Sequence, residues 1–316
     1  MDSPETRGQP GSATIEPAPL QVAASATPSA ATLSSRACPT CGTPANAAGP
    51  GVSGSRTYVY AIGKIEPRFP WISVEKEFAQ VMGRADAKGL TDRQALHALL
   101  SKPENRYLVR QLCWVMTIEG LETYILMPRV PDDFSLLVEA LRPNPTLADL
   151  DVVIGLRGPL ASPETCNGLV VPIVVFDQIY VFDRPSLIKA IPRPEKMKEE
   201  EFAPAAEELF DHIMQLAANG GETDAQRALN YLAVRYPAIY AAVAEAFAHN
   251  KSLSAVEVRP SPLSGTRNVV EAIFSFTNRT TDVVEKSFVR VDVTEEFPFL
   301  VTKLSPFTEC QGCSNN

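Results

Sequence analysis

Residues 113–128 read CWVMTIEGLETYILMP, and the way this stretch folds decides the class of the whole chain. Cys113–Ile118 and Leu121–Pro128 are both rich in apolar, β-branched and aromatic residues, and Glu119-Gly120 between them suits a two-residue turn. The stretch is therefore expected to be an antiparallel hairpin. Elsewhere the chain carries long helical patterns, partly segregated from the strands and partly mixed with them. That combination points to an α+β fold and away from a regular doubly wound sheet.

Working outward, TYVYAIGKI (Thr57–Ile65) alternates apolar with polar or small residues and reads as the first strand. In SVEKEFAQVMGRADAKG, Val74, Phe78, Val81 and Met82 share one helical face and Gly89 ends the helix. Thr91 is a good N-cap for TDRQALHALLS, and Pro103 opens a short helix through Tyr107 and Val109. Downstream, PDDFSLLVEAL reads as a short amphipathic helix. DVVIGLRGP and LVVPIVVFDQIYVF read as strands, the second apolar enough to be buried on both faces. From Glu199 the pattern is helical, broken at Pro237, and SAVEVRP, NVVEAIFSFTN, EKSFVRVDVT and FLVTKL then close the chain as a β-meander. The expected architecture is a mixed or antiparallel sheet with packed helices and this C-terminal meander.

The 316 residues are 45% apolar, enough for a packed core, and 29 basic against 37 acidic side chains give a net charge of −8. No general attraction to nucleic acid or to an anionic membrane surface is supplied. The most apolar run, Leu169–Phe176, is interrupted by Pro172 and is too short to span a bilayer. Residues 1–55 are dominated by Ala, Pro, Ser, Thr and Gly and cannot bury enough apolar surface to offset their ordering entropy. The expected organisation is a disordered leader over 1–55, a single α+β unit over 56–309 and a short tail over 310–316. MDSPETRGQPGS carries acidic residues where a secretory signal would be basic and apolar, so the expected compartment is the cytoplasm, with thiols reduced.

Little in the chain looks like catalytic machinery. Its three histidines, His97, His212 and His249, fall within or at the ends of helical patterns, and none of the common nucleophile, phosphate-loop, dinucleotide or zinc-protease motifs occurs. Four polar residues stand where a receptor for a peptide or carboxylate would place them. Arg157 follows an apolar strand, Asp177 stands with Asp183 about an aromatic turn, and Arg259 and Arg267 flank a loop rich in turn formers. Each also reads as one half of a surface ion pair. An enzyme built on Glu119, Asp177 or Asp292 with an arginine is the rival.

The cysteines divide into two groups. CPTCG (Cys38, Cys41) and CQGC (Cys310, Cys313) have metal-ligand spacing, and together they supply the four thiolates of a tetrahedral structural zinc site. The alternatives are a zinc shared between protomers of a homodimer, and exposed thiols. Cys113 and Cys166 stand apart and read as small buried hydrophobes.

TYVYAIGKIEPRFP, the acidic helix after it, NRYLVRQLCWVMTIEGLETYILMPR and VIGLRGP resemble the C-terminal domain of unknown function of PatG-type cyanobactin maturation proteases, over about Tyr58 to Phe307. In that family the domain follows a subtilisin-like protease, which this chain lacks, and no catalytic residue carries over. The resemblance implies a standalone accessory module in ribosomal peptide maturation. Its partner would be a precursor peptide or a separately encoded protease or modifying enzyme.

Overall fold

The computed structural model describes residues 57–84, 90–191, 199–214 and 219–308. The leader, the Gly89 helix end and the proposed zinc ligands Cys38, Cys41, Cys310 and Cys313 lie outside the described residues.

Five strands, β1 (Tyr58–Arg68), β2 (Cys113–Ile118), β3 (Leu121–Pro128), β4 (Asp149–Leu160) and β5 (Pro172–Asp183), close into a barrel in the order β1-β2-β3-β5-β4. The hairpin forms as its sequence dictates. Glu119 and Gly120 take φ of 49° and 82°, the doubly left-handed turn whose twist matches that of the strands it joins. Closure depends on β1 serving two neighbours: Tyr58–Gly63 pair with β4, and Lys64–Arg68 pair with β2. β3 and β5 run parallel, Ile125 opposite Ile173, while every other barrel pair is antiparallel. With helix α4 (Phe134–Ala140) between β3 and β4, this is the Greek-key arrangement of OB barrels.

The β1–β2 connection carries α1 (Ile72–Arg84), α2 (Asp92–Leu100) and α3 (Arg106–Gln111). Thr91 and Gln94 make a reciprocal capping box that satisfies two otherwise orphaned donors at the start of α2. Phe78, Leu100, Leu108 and Leu137 from these helices and α4 meet Val59, Trp114, Met116, Tyr124 and Phe176 in one core.

The second half of the chain folds as α5 (Arg184–Ala190), α6 (Glu199–Met214), α7 (Asp224–Arg235) and α8 (Ala238–Ala248), followed by β6 (Lys251–Pro260), β7 (Val269–Asn278) and β8 (Val284–Asp292). The last three make the expected antiparallel meander. FLVTKL contributes only two residues of strand: β9 (Phe299–Leu300) and β10 (Ser305–Pro306) are both short pieces on β8. Because successive strand side chains point to opposite faces, β1 belongs to two cores. Val59 and Ala61 join the barrel core, while Tyr60 and Ile62 join a cluster with Phe210, Leu232, Tyr240 and Phe274 from α6, α7, α8 and β7.

Three expectations need correction. β5 is not buried on both faces; Val174, Phe176 and Ile179 are buried and the rest of the strand is more open. FDQIYVFD is no turn but the continuous second half of β5, paired with β4 out to Asp183 opposite Asp149. Finally, Cys113 and Cys166 are buried yet do not stand apart. They form a disulfide, with Cα atoms 5.7 Å apart, inside a satellite cluster with Val115, Ile125 and Ala161. The bond staples the β4–β5 loop to the first residue of β2. Among the described residues, no helix is long and apolar enough to cross a membrane.

Candidate functional site

Where the barrel meets the helices and meander, polar groups collect along a seam. The segment Asn219–Glu222 lies against β1: Tyr60 donates its N–H to Gly221 O at 2.8 Å, and Tyr124 donates its hydroxyl to Gly220 O at 2.7 Å. Gly221 sits at φ +70°, and any Cβ there would fall on the Tyr60 carbonyl. Asn230 of α7 donates to that same Tyr60 carbonyl at 2.7 Å and exchanges hydrogen bonds with Asn219.

Arg227, one turn earlier on α7, is 3% exposed. It donates to the carbonyl of Val293 at 2.6 Å and to that of Glu295, and its guanidinium lies 5.2 Å from the Tyr58 ring centroid. Burial holds its pKa below the usual arginine value, opposed by Asp224. A cavity of about 480 Å³ opens here, lined by Tyr58, Glu222, Asp224, Arg227, Asn268 and Glu295 among others.

Every residue proposed from sequence as a binding group has a partner of its own. Arg157 pairs with Glu222 at 2.7 Å. Asp177 pairs with Arg129 at 2.7 Å, and Arg129 also lies 3.4 Å from Glu296. Arg267 holds Asp292 at 2.6 Å with its guanidinium over the Phe299 ring. Arg259 pairs with Glu271 at 3.2 Å, a carboxylate it shares with Arg290 at 2.8 Å. Arg157, Asp177 and Arg267 come to the seam, and Arg259 stands on the meander. In each case the arginine already has a carboxylate of this chain within ion-pair reach, which makes these residues joints between elements.

Burial, and then Asp177 beside it, push Glu296 up to about 7. Asp151 is pushed to about 6 by burial, in spite of Arg142 at 3.0 Å and a hydrogen bond from Ile65 N at 2.9 Å. Glu119 stands exposed on the hairpin turn, and Asp292 is spoken for by Arg267. His249 caps α8, its Nδ1 2.8 Å from Glu245 O. Among the described residues no group of three or more His, Cys, Asp or Glu is arranged to hold a metal ion.

Two features were missed in the sequence. Arg227 and Asn230 are polar residues at i and i+3 on an otherwise apolar face of DAQRALNYLAVR, a spacing that marks a buried polar anchor. The second is a charged groove formed by α2, α3 and α4, whose cations lie in exposed positions that periodicity cannot single out.

The strand order and the pairing of this seam allow comparison with known proteins. Residues 196–307 match the PatG C-terminal family. The match takes in α6 to α8 and the meander. The described fold is similar to a solved structure named "PatG Domain of Unknown Function", with a TM-score of 0.66 at 20% identity, over 80% of this chain and 99% of that one. At that identity the PatG domain shares the fold with this chain, barrel included, and no residue role follows. No curated protein matches the chain.

Proposed function

We propose that this protein is a non-catalytic accessory module in the maturation of ribosomally made peptides, and that it holds a precursor peptide or a partner enzyme as an added strand along β6. The PatG match and the shared fold support the maturation setting. The observation that carries the binding mode is the edge itself. The barrel is closed, β8 is flanked by β7 and the short β9 and β10, and β6 pairs with β7 alone. Among the described residues, β6 is a long strand of the meander, unpaired along the whole of one side.

An extended segment laid there gains main-chain hydrogen bonds, and side-chain alternation supplies selectivity. The bulge at Leu253/Ala255 bends the start of β6, so the usable edge runs from Ala255 to Pro260. A structural zinc on Cys38, Cys41, Cys310 and Cys313 belongs to the same reading, as a clasp of the chain ends.

The test is hydrogen exchange with short precursor peptides and enzymes encoded nearby, alongside calorimetry. Partner binding should protect amides in residues 255–259. Neighbouring strand residues point their N–H groups to opposite sides, so of Val256→Pro and Glu257→Pro one keeps the β7 ladder while blocking the edge. That variant should fold and lose binding. Unchanged binding by it would sink the proposal, as would silence from every partner.

A further inference from the structure

The groove between α2, the Pro103–Asn105 turn, α3 and the Pro131–Phe134 approach to α4 holds a cavity of about 270 Å³. Its floor is apolar: Leu100, Val109, Phe134 and Val138. One wall carries Lys102, Arg106 and Arg110, and the other carries Asp132 and Glu139.

These cations differ from most arginines of the fold, although among the described residues Arg235 and Arg279 likewise lack a carboxylate and lie over aromatic rings. Arg129, Arg142, Arg157, Arg184, Arg259 and Arg267 each have a carboxylate of this chain in ion-pair reach. Among the described residues, Lys102, Arg106 and Arg110 have none, and Arg110 has only the Phe134 ring at 5.9 Å. Lack of carboxylates is not the reason, because the chain has 37 acidic side chains against 29 basic ones. Asp132 and Glu139 line the same cavity, yet no ion pair crosses it.

We propose that this groove binds the carboxyl-terminal residue of a peptide. The α-carboxylate is taken by Arg106 and Arg110, whose planar forks match a carboxylate with two parallel N–H donors each. The last side chain, an apolar one, rests on Leu100, Val109, Phe134 and Val138. Asp132 and Glu139 on the far wall accept peptide N–H groups and repel polyanions, so phosphates and nucleic acid are disfavoured. The volume lies just under the range of about 300–1,000 Å³ usual for small-molecule pockets, which suits one residue at the end of a longer chain. This site is separate from β6 and does not depend on strand addition there.

The experiment titrates N-acetyl-alanyl-leucine, as the free acid and as its carboxamide, into the full chain while amide shifts are followed by NMR. The free acid should give saturable shifts in residues 100–110 and 132–139, and the carboxamide should bind at least about 10-fold more weakly, the loss expected for a charged hydrogen-bonding group. Arg106 and Arg110 are exposed, so Arg106→Gln/Arg110→Gln should melt like the parent. It should lower the affinity for the acid to that of the carboxamide and leave the carboxamide unchanged. Equal affinity for acid and carboxamide would overturn the proposal, and so would shifts confined to other surfaces or no saturable shift in the groove. Shifts in residues 255–259 would report strand addition separately.

Discussion

Arg227 donates from α7 to the carbonyl oxygen of Val293, 2.6 Å away, and so fastens a helix to the loop that leaves the meander. The same guanidinium reaches the carbonyl of Glu295, and its charge is sheltered from water. Replacing it with a hydrophobe of similar length removes donors and strands buried acceptors. Arg227→Met is expected to cost about 3 kcal/mol, the upper range for leaving buried polar groups unpaired. Arg227→Lys, which lacks the fork, should fall between. Urea unfolding followed by circular dichroism measures both.

Stability should fall as pH rises from about 4 to 7. Burial and Asp177 lift Glu296 from 4.5 to about 7, and burial lifts Asp151 from 3.8 to about 6. In that window the folded state holds more protons than the unfolded one, so raising the pH favours unfolding. Glu271 acts the other way: burial raises it, hydrogen bonds from Arg290 and Arg259 outweigh burial, and its contribution is lost only as pH falls through its depressed value. Denaturation midpoints at pH 5 and pH 7.5 should differ in favour of pH 5. Glu296→Gln should reduce that difference, and an unchanged difference would show that the seam does not titrate.

The bond between Cys113 and Cys166 closes a loop across a sequence separation of 53 residues. On the chain-entropy account a loop of this length contributes about 4 kcal/mol by restricting the unfolded state. Cys166→Ala should lower stability by up to that amount. Reductant should lower the melting temperature of the parent and leave the variant's almost unchanged. Thiol counting on the unreduced protein, denatured in the presence of a chelator, should find two of the six cysteines blocked.

A zinc bound by Cys38, Cys41, Cys310 and Cys313 should appear as one metal per chain in elemental analysis, and Cys310→Ser should release it. Solution mass separates the two arrangements. A site within one chain leaves the mass unchanged when the metal is removed, whereas a site shared between chains halves it.

Local structure was legible where a residue type and a short spacing decide it. The left-handed turn at Glu119-Gly120, the Thr91 cap and the period-two strands of the meander all depend on neighbours in sequence. Barrel closure was not legible, since it rests on Ile125 meeting Ile173 across two intervening elements. The arginines were visible as charges but not as pairs: Arg157 finds Glu222 only once the halves of the fold dock, and Asp177 finds Arg129 only once β5 lies beside β3. The Cys113–Cys166 bond was missed because the compartment argument set thiols as reduced, and nothing in the spacing of two remote cysteines says that one loop folds over the other's strand. The PatG resemblance was carried by phrases along the barrel strands, whereas the family match falls on the helices and meander after them.

The parallel pairing of β3 with β5 also sets an order on assembly. As the chain is synthesised, β1, β2 and β3 emerge together, but Met127 has no neighbour on its far side until Val175 follows. Until then the nascent sheet has an unprotected flank and its interior stays wet. The first half of the molecule thus matures late for its position, and a pause in translation just before β5 would prolong the interval in which that flank is vulnerable to mispairing.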